Sequence, residues 1–108
     1  MALRFLDLFA GCGGLSLGLQ NAGLEMVAAV ELSEMAAETH YKNFHLRGTE
    51  WSAETQTEWD NLLKSSFLEQ IKAGTVVGDI TELLQDSEAM TYLQRAGHPD
   101  IIVGGPPC

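Results

Sequence analysis

Four short apolar runs punctuate this sequence, and none of them alternates regularly with polar residues. They are "LRFLDLF" (Leu3 to Phe9), "MVAAVE" (Met26 to Glu31), "TVVGDI" (Thr75 to Ile80) and "DIIVGG" (Asp100 to Gly105). A strand that is apolar on both sides needs cover on both sides, as in a parallel sheet flanked by helices. The segments between the runs have helical character. "LSLGLQNAG" spaces Leu15, Leu19 and Ala22 for a helix and closes on Gly23, suited to the left-handed turn after a helix. Ser33 is an N-cap for "EMAAETHYKNF", with Met35, Ala36, Thr39 and Phe44 partly in register. "TELLQDSEAMTYLQRAG" reads as a helix with Leu83, Leu84, Met90 and Leu93 on its apolar face. Alternating strand and helix predicts an α/β fold with right-handed crossovers.

The stretch from Leu46 to Lys72 is less regular. It is polar first, then patterned as a helix with Leu62, Leu63, Phe67 and Ile71 on one face. Trp51 and Trp59 fit half-buried anchors of an inserted loop better than an aromatic contact surface. With 108 residues the chain suits one small domain, and 45% apolar residues set it apart from disordered sequences. No apolar run approaches the roughly 20 residues that span a bilayer. The start does not have the pattern of a signal peptide. Two cysteines in such a sequence suggest reduced thiols in a cytosol. Six Lys and Arg stand against fifteen Asp and Glu. A free-standing nucleic-acid binder is usually basic, so a role on DNA would require phosphate-binding charge from elsewhere. His40, His45 and His98 have no metal-ligand spacing and read as surface or turn residues; no metal is expected.

The chemistry concentrates where the apolar runs end. "DLFAGCGG" places Gly11, Cys12, Gly13 and Gly14 between the first strand and the first helix, a nucleotide-cofactor layout, although the spacing is not G-x-G-x-x-G. Glu31 ends the second strand about 20 residues later, where an acid can bind ribose hydroxyls. Taken alone, it is equally a solvated carboxylate or a helix N-terminal acid. Asp79 ends the third strand and can meet an adenine amino group, cap the helix that begins near Thr81, or do both. These features share one sheet edge, the edge at which α/β sheets bind ligands. The fourth strand delivers "GGPPC" to that same edge. Pro106 and Pro107 stiffen the loop, and Cys108 on it reads as a nucleophile. An isolated cysteine would more simply be a buried structural residue.

"FLDLFAGCGGLSLGLQNAG", "AAVELSEMAAETHYKNF", "VGDI" and "DIIVGGPPC" closely resemble, in order, the first four sequence motifs of the DNA cytosine-5 methyltransferases. The resemblance implies half of a doubly wound, Rossmann-like sheet, with parallel strands in the order 3-2-1-4. It implies S-adenosylmethionine as cofactor. Phe9, Gly11, Cys12 and Gly14 would surround its methionine end and purine, Glu31 would bind the ribose, and Leu32 would pack on adenine. Asp79 would meet the adenine amino group beside Ile80. Pro107 would lie near the target base, and Cys108 would be the catalytic thiol. In the family's reaction a thiolate attacks carbon 6 of a flipped-out cytosine, carbon 5 takes the methyl group, and loss of the carbon 5 proton expels the thiolate. The thiol's free pKa is about 8.5, so the site must favour the thiolate or remove its proton on attack.

The family's later motifs, which assist protonation of the base, read DNA and complete the cofactor pocket, do not follow within these residues. The expectation is therefore that residues 1–108 are the amino-terminal part of a catalytic domain, with a variable insert at about 46–72. Such a fragment or split subunit would be inactive alone, in a restriction-modification setting in the cytoplasm at the prokaryotic nucleoid. DNA would be engaged through other regions, and a complementing carboxyl-terminal chain or self-association would cover the fourth strand. A non-catalytic cofactor-binding remnant, a regulatory decoy and a relative acting on tRNA are the alternatives.

Overall fold

The structure, a computed structural model, describes residues 2–46 and 50–105. Its centre is a four-stranded, all-parallel sheet in the order β3-β2-β1-β4. The strands are β1 (Arg4–Leu8), β2 (Glu25–Glu31), β3 (Thr75–Val77) and β4 (Ile101–Gly104). The expected α/β class and strand order are both observed. β1 lies inside the sheet, pairing Leu6 with Ala28 and with Ile102, and Asp7 with Ala29 and with Val103. Its central residues Phe5, Leu6 and Asp7 are all buried, as the continuous run required.

Helices cover both faces. α1 (Gly14–Asn21) and α2 (Glu34–Tyr41) lie on the face that carries Asp7, and a π-helical turn (Lys42–Leu46) extends α2. On the other face, α4 (Phe67–Ala73), α5 (Ile80–Gln85) and α6 (Ser87–Gln94) contribute Ile71, Leu83, Ala89 and Leu93 to a core with Leu6, Ala28, Val30 and Val76. α3 (Ala53–Leu63) packs against α4. Trp59 on α3 is 2% exposed against Tyr41, whereas Trp51 is half-buried with Lys42 over its ring. Among the described residues no helix is long and apolar enough to cross a membrane.

The helical expectations need three corrections. The segment after Asp79 forms two helices, because Asp86 takes an extended conformation (φ −85°, ψ 106°) that ends α5, and its carboxylate caps α6 by accepting from the Ala89 amide at 2.9 Å. The segment over Ala53–Ala73 likewise breaks in two, at Ser66, which accepts from the Glu69 amide and starts α4. Two apolar faces are also rotated from the expected register. Leu15 is exposed and Ser16 buried on α1; Met35 is exposed while Ala37 and His40 are buried on α2. Replacing Asp86→Ala removes the cap and should lower stability by about 1 kcal/mol, read by urea denaturation at unchanged slope.

β4 forms one edge of the sheet, with Ile102 62% exposed. The expected apolar edge strand is therefore present, and such an edge invites pairing with another strand.

Candidate functional site

The carboxyl ends of the strands open onto a cleft of about 550 Å³, within the usual range for small-molecule sites. Phe9, Glu31, Leu32, Asp79, Ile80 and Gly105 are among its lining residues. After β1 the chain turns sharply. Phe9 takes a left-handed conformation (φ 55°), unusual for a bulky residue, and Gly11 follows at φ 59°. The Ala10 amide donates to the Val30 carbonyl at 3.1 Å, keeping this loop beside β2.

Glu31 ties the rim together. Its Oε1 accepts from the Gly11 amide at 3.0 Å and its Oε2 from the Ser33 amide at 2.6 Å. Its own carbonyl accepts from the Gly78 amide at 3.0 Å, so one residue links the loops after β1, β2 and β3. A carboxylate offers about four lone-pair positions. Each Glu31 oxygen has one engaged and retains capacity for a hydroxyl donor. Leu32 beside it is 68% exposed, an apolar surface left at the mouth.

Asp79 caps α5. Its Oδ1 accepts from both the amide and the hydroxyl of Thr81, each at 2.8 Å. The Thr81 amide bond is the larger of two causes that hold its carboxyl below the usual range. Asp79 is therefore ionised at neutral pH, with Oδ2 remaining as an acceptor. The cap foreseen for this residue is real, and it also leaves an acid on the cleft.

Not every sequence-selected residue lines this cleft. Gly11 acts through its amide to Glu31. Cys12 is exposed, and its carbonyl accepts from Asn43 Nδ2 at 3.0 Å. Gly14 opens α1 at the surface. Pro107 and Cys108 lie outside the described residues; Gly105 is a cleft residue that the sequence reading did not select.

The reading also missed a buried polar network behind the glycine loop. Asp7 (1% exposed) accepts from the Ser16 hydroxyl at 2.6 Å, and His40 Nε2 lies 3.2 Å from the same hydroxyl oxygen. Burial raises the Asp7 carboxyl, partly offset by its bonds from Ser16. Burial first, and then His45, push His40 down to about 4. His40 is thus a neutral core residue stacked on Phe44 at 4.3 Å, correcting its assignment to the surface or a turn. A signal was available: a charged residue at the centre of a strand covered on both faces requires polar partners.

A parallel sheet in this order, with a cleft at its strand ends, defines the half-fold of a Rossmann-like methyltransferase. The sequence profile of the C-5 cytosine-specific DNA methylases matches residues 3–58, more than half of the chain. The chain belongs to that family. It is 33% identical over 107 residues to the type II methyltransferase M.HgiDI of Herpetosiphon aurantiacus, covering 98% of this chain and 24% of that protein. It is 32% identical over 107 residues to M.HgiGI of the same organism, covering 98% of this chain and 60% of the relative. To DNA (cytosine-5)-methyltransferase 3 of Arabidopsis thaliana it is 34% identical over 119 residues, covering 98% of this chain and 8% of the plant protein. The chain thus spans only part of the length of these relatives.

Proposed function

We propose that this chain supplies the cofactor-binding side of a DNA cytosine-5 methyltransferase and carries its nucleophile. The observation that bears most weight is the Glu31 carboxylate, fixed by two backbone amides with an acceptor position left on each oxygen. That is a receptor for two vicinal hydroxyls, as on a ribose. Asp79 would accept from the adenine amino group, and Leu32 and Ile80, which line the same cleft, would give the adenine apolar surface. Phe9 lines the cleft and would border the methionine end; Gly11, Cys12 and Gly14 would contribute through the loop that Gly11 ties to Glu31. S-adenosylmethionine, when bound, supplies an electrophilic methyl group.

Cys108, having lost its proton to solvent, would attack carbon 6 of the flipped-out cytosine as the thiolate, forming a sulfur–carbon bond as the C5=C6 π pair shifts to make carbon 5 nucleophilic. After carbon 5 has gained its methyl group, its proton would pass to solvent, and the pair left behind would re-form the C5=C6 bond as the sulfur departs as thiolate. Pro107 precedes the thiol in sequence, and a proline there narrows the backbone angles open to the chain before it. The acidic balance of the chain supports DNA binding through further polypeptide, in the same protein or a complementing one. The exposed β4 edge is a natural place for that polypeptide to join the sheet. The setting we assign is the cytoplasm, where thiols remain reduced.

The test is transfer of a labelled methyl group. Residues 1–108 alone should give no turnover. A chimera in which they replace the corresponding segment of M.HgiDI should convert cytosine in duplex DNA to 5-methylcytosine, identified after nuclease digestion. Label in tRNA, or on a base other than cytosine, would contradict the assignment.

A further inference from the structure

The far end of α2 holds the glycine loop through two kinds of contact and reaches α1 behind it through a third. Asn43, in the π-helical turn, donates through Nδ2 to the Cys12 carbonyl at 3.0 Å. Next along the loop, Gly13 takes φ 106°, and a Cβ there would collide with the Phe44 ring and meet His40 Cδ2 at 3.0 Å. The backbone therefore lies directly on the stacked His40 and Phe44 rings. Beyond the loop, His40 reaches the first turn of α1 through Ser16, which is tied to Asp7 on β1.

The protons of this chain can be assigned. A serine hydroxyl has one proton. The 2.6 Å contact commits it to Asp7, so the 3.2 Å contact must be donated by His40 Nε2–H. His40, pushed down to about 4, is neutral at pH 7 and has that single proton to give. Its orientation and tautomer are thereby fixed, and with them the surface on which Gly13 rests. π-helical turns often occur at functional sites, where they redirect side chains out of α-helical register. Here the turn brings Asn43 and Phe44 to the same loop.

We propose that Asn43 and His40 are positioning residues for cofactor binding: the end of α2 holds the Gly11–Gly14 loop in its binding shape before the cofactor arrives. This rests on the reading of the strand-end cleft as the S-adenosylmethionine site. The two residues act through the loop rather than by touching the cofactor.

Asn43 is exposed, so its replacement leaves the core intact. Asn43→Ala and the near-isosteric Asn43→Asp should each weaken S-adenosylmethionine binding by about five- to tenfold, one neutral hydrogen bond's worth. Amide exchange over Cys12–Leu15 should quicken by a similar factor while β1 and β2 exchange at wild-type rates. The urea midpoint of Asn43→Ala should remain near that of the wild type. His40→Phe, which keeps the stack on Phe44 but cannot donate, should quicken the same loop amides. Wild-type affinity in both Asn43 variants, with Glu31→Ala weakened, would overturn the proposal, even if loop exchange changed. If the wild type binds no cofactor, the cleft reading fails instead. The loop-holding part still stands or falls on the exchange rates in the Asn43 variants, unchanged rates overturning it.

Discussion

Cys108→Ala should abolish both methyl transfer and covalent capture of DNA. In a protein that joins these 108 residues to a DNA-reading region, an oligonucleotide carrying 5-fluorocytosine should form a stable adduct. Fluorine replaces the proton that must leave carbon 5, so the sulfur–carbon bond cannot be released. Without the thiol no such bond forms, and turnover should fall to background. Cys12, the other cysteine of the chain, sits exposed on the glycine loop and should carry no adduct. Peptide mapping distinguishes the two. An adduct on Cys12, or undiminished turnover in Cys108→Ala, would remove Cys108 from the nucleophile's role.

Trp59→Ala should produce the largest loss of stability in the described structure. Trp59 is 2% exposed, and Tyr41 packs against its ring at 5.1 Å between centroids. Truncating a buried tryptophan to alanine costs about 3–5 kcal/mol, from lost burial and the cavity left behind. Small domains have only about 5–15 kcal/mol in total. The melting temperature should therefore fall by more than about 10 °C. Trp59→Phe should recover much of this. Trp51, half-buried with its Nε1–H donated to Gln56 at 2.7 Å, should be far more tolerant. Equal effects at the two positions would mean that α3 is not anchored as the structure places it.

The strands were legible because burial on both faces leaves a continuous apolar run; β2 ends at Glu31 as expected, while β3 stops at Val77, two residues before Asp79, which caps α5 instead. Helix faces were less legible. Leucines at 15, 17 and 19 do not define a single helical stripe, and the decisive contact on α1 is a polar one, Ser16 with Asp7. The division between α5 and α6 was harder to see because apolar residues continue at helical spacing through Asp86; its carboxylate instead captures the Ala89 amide. At the cleft, Glu31 and Asp79 stood out because strand ends mark ligand edges in such sheets, whereas Phe9, Leu32 and Ile80 came only from the family resemblance. That Glu31 also fastens the Gly11 loop was invisible in sequence, since it depends on a contact across twenty residues between two loops. His40 was placed at the surface because its helix looks polar; the buried Asp7 signalled a need for polar partners, but His40 joins it only through Ser16, on a third element.

We assign the strand-end cleft to S-adenosylmethionine through Glu31. Calorimetric titration of the 108-residue chain with S-adenosylmethionine, wild type against Glu31→Ala, tests it most directly. Removing the carboxylate takes away the acceptor proposed for the ribose and the bond that holds the Gly11 amide. A charged acceptor contributes about 1.5–3 kcal/mol per hydrogen bond, so Kd should rise at least tenfold. Measurable heat in the wild type that disappears, or shifts by that factor, in Glu31→Ala is the predicted result. Equal affinity in the two proteins would remove Glu31 from the ribose role.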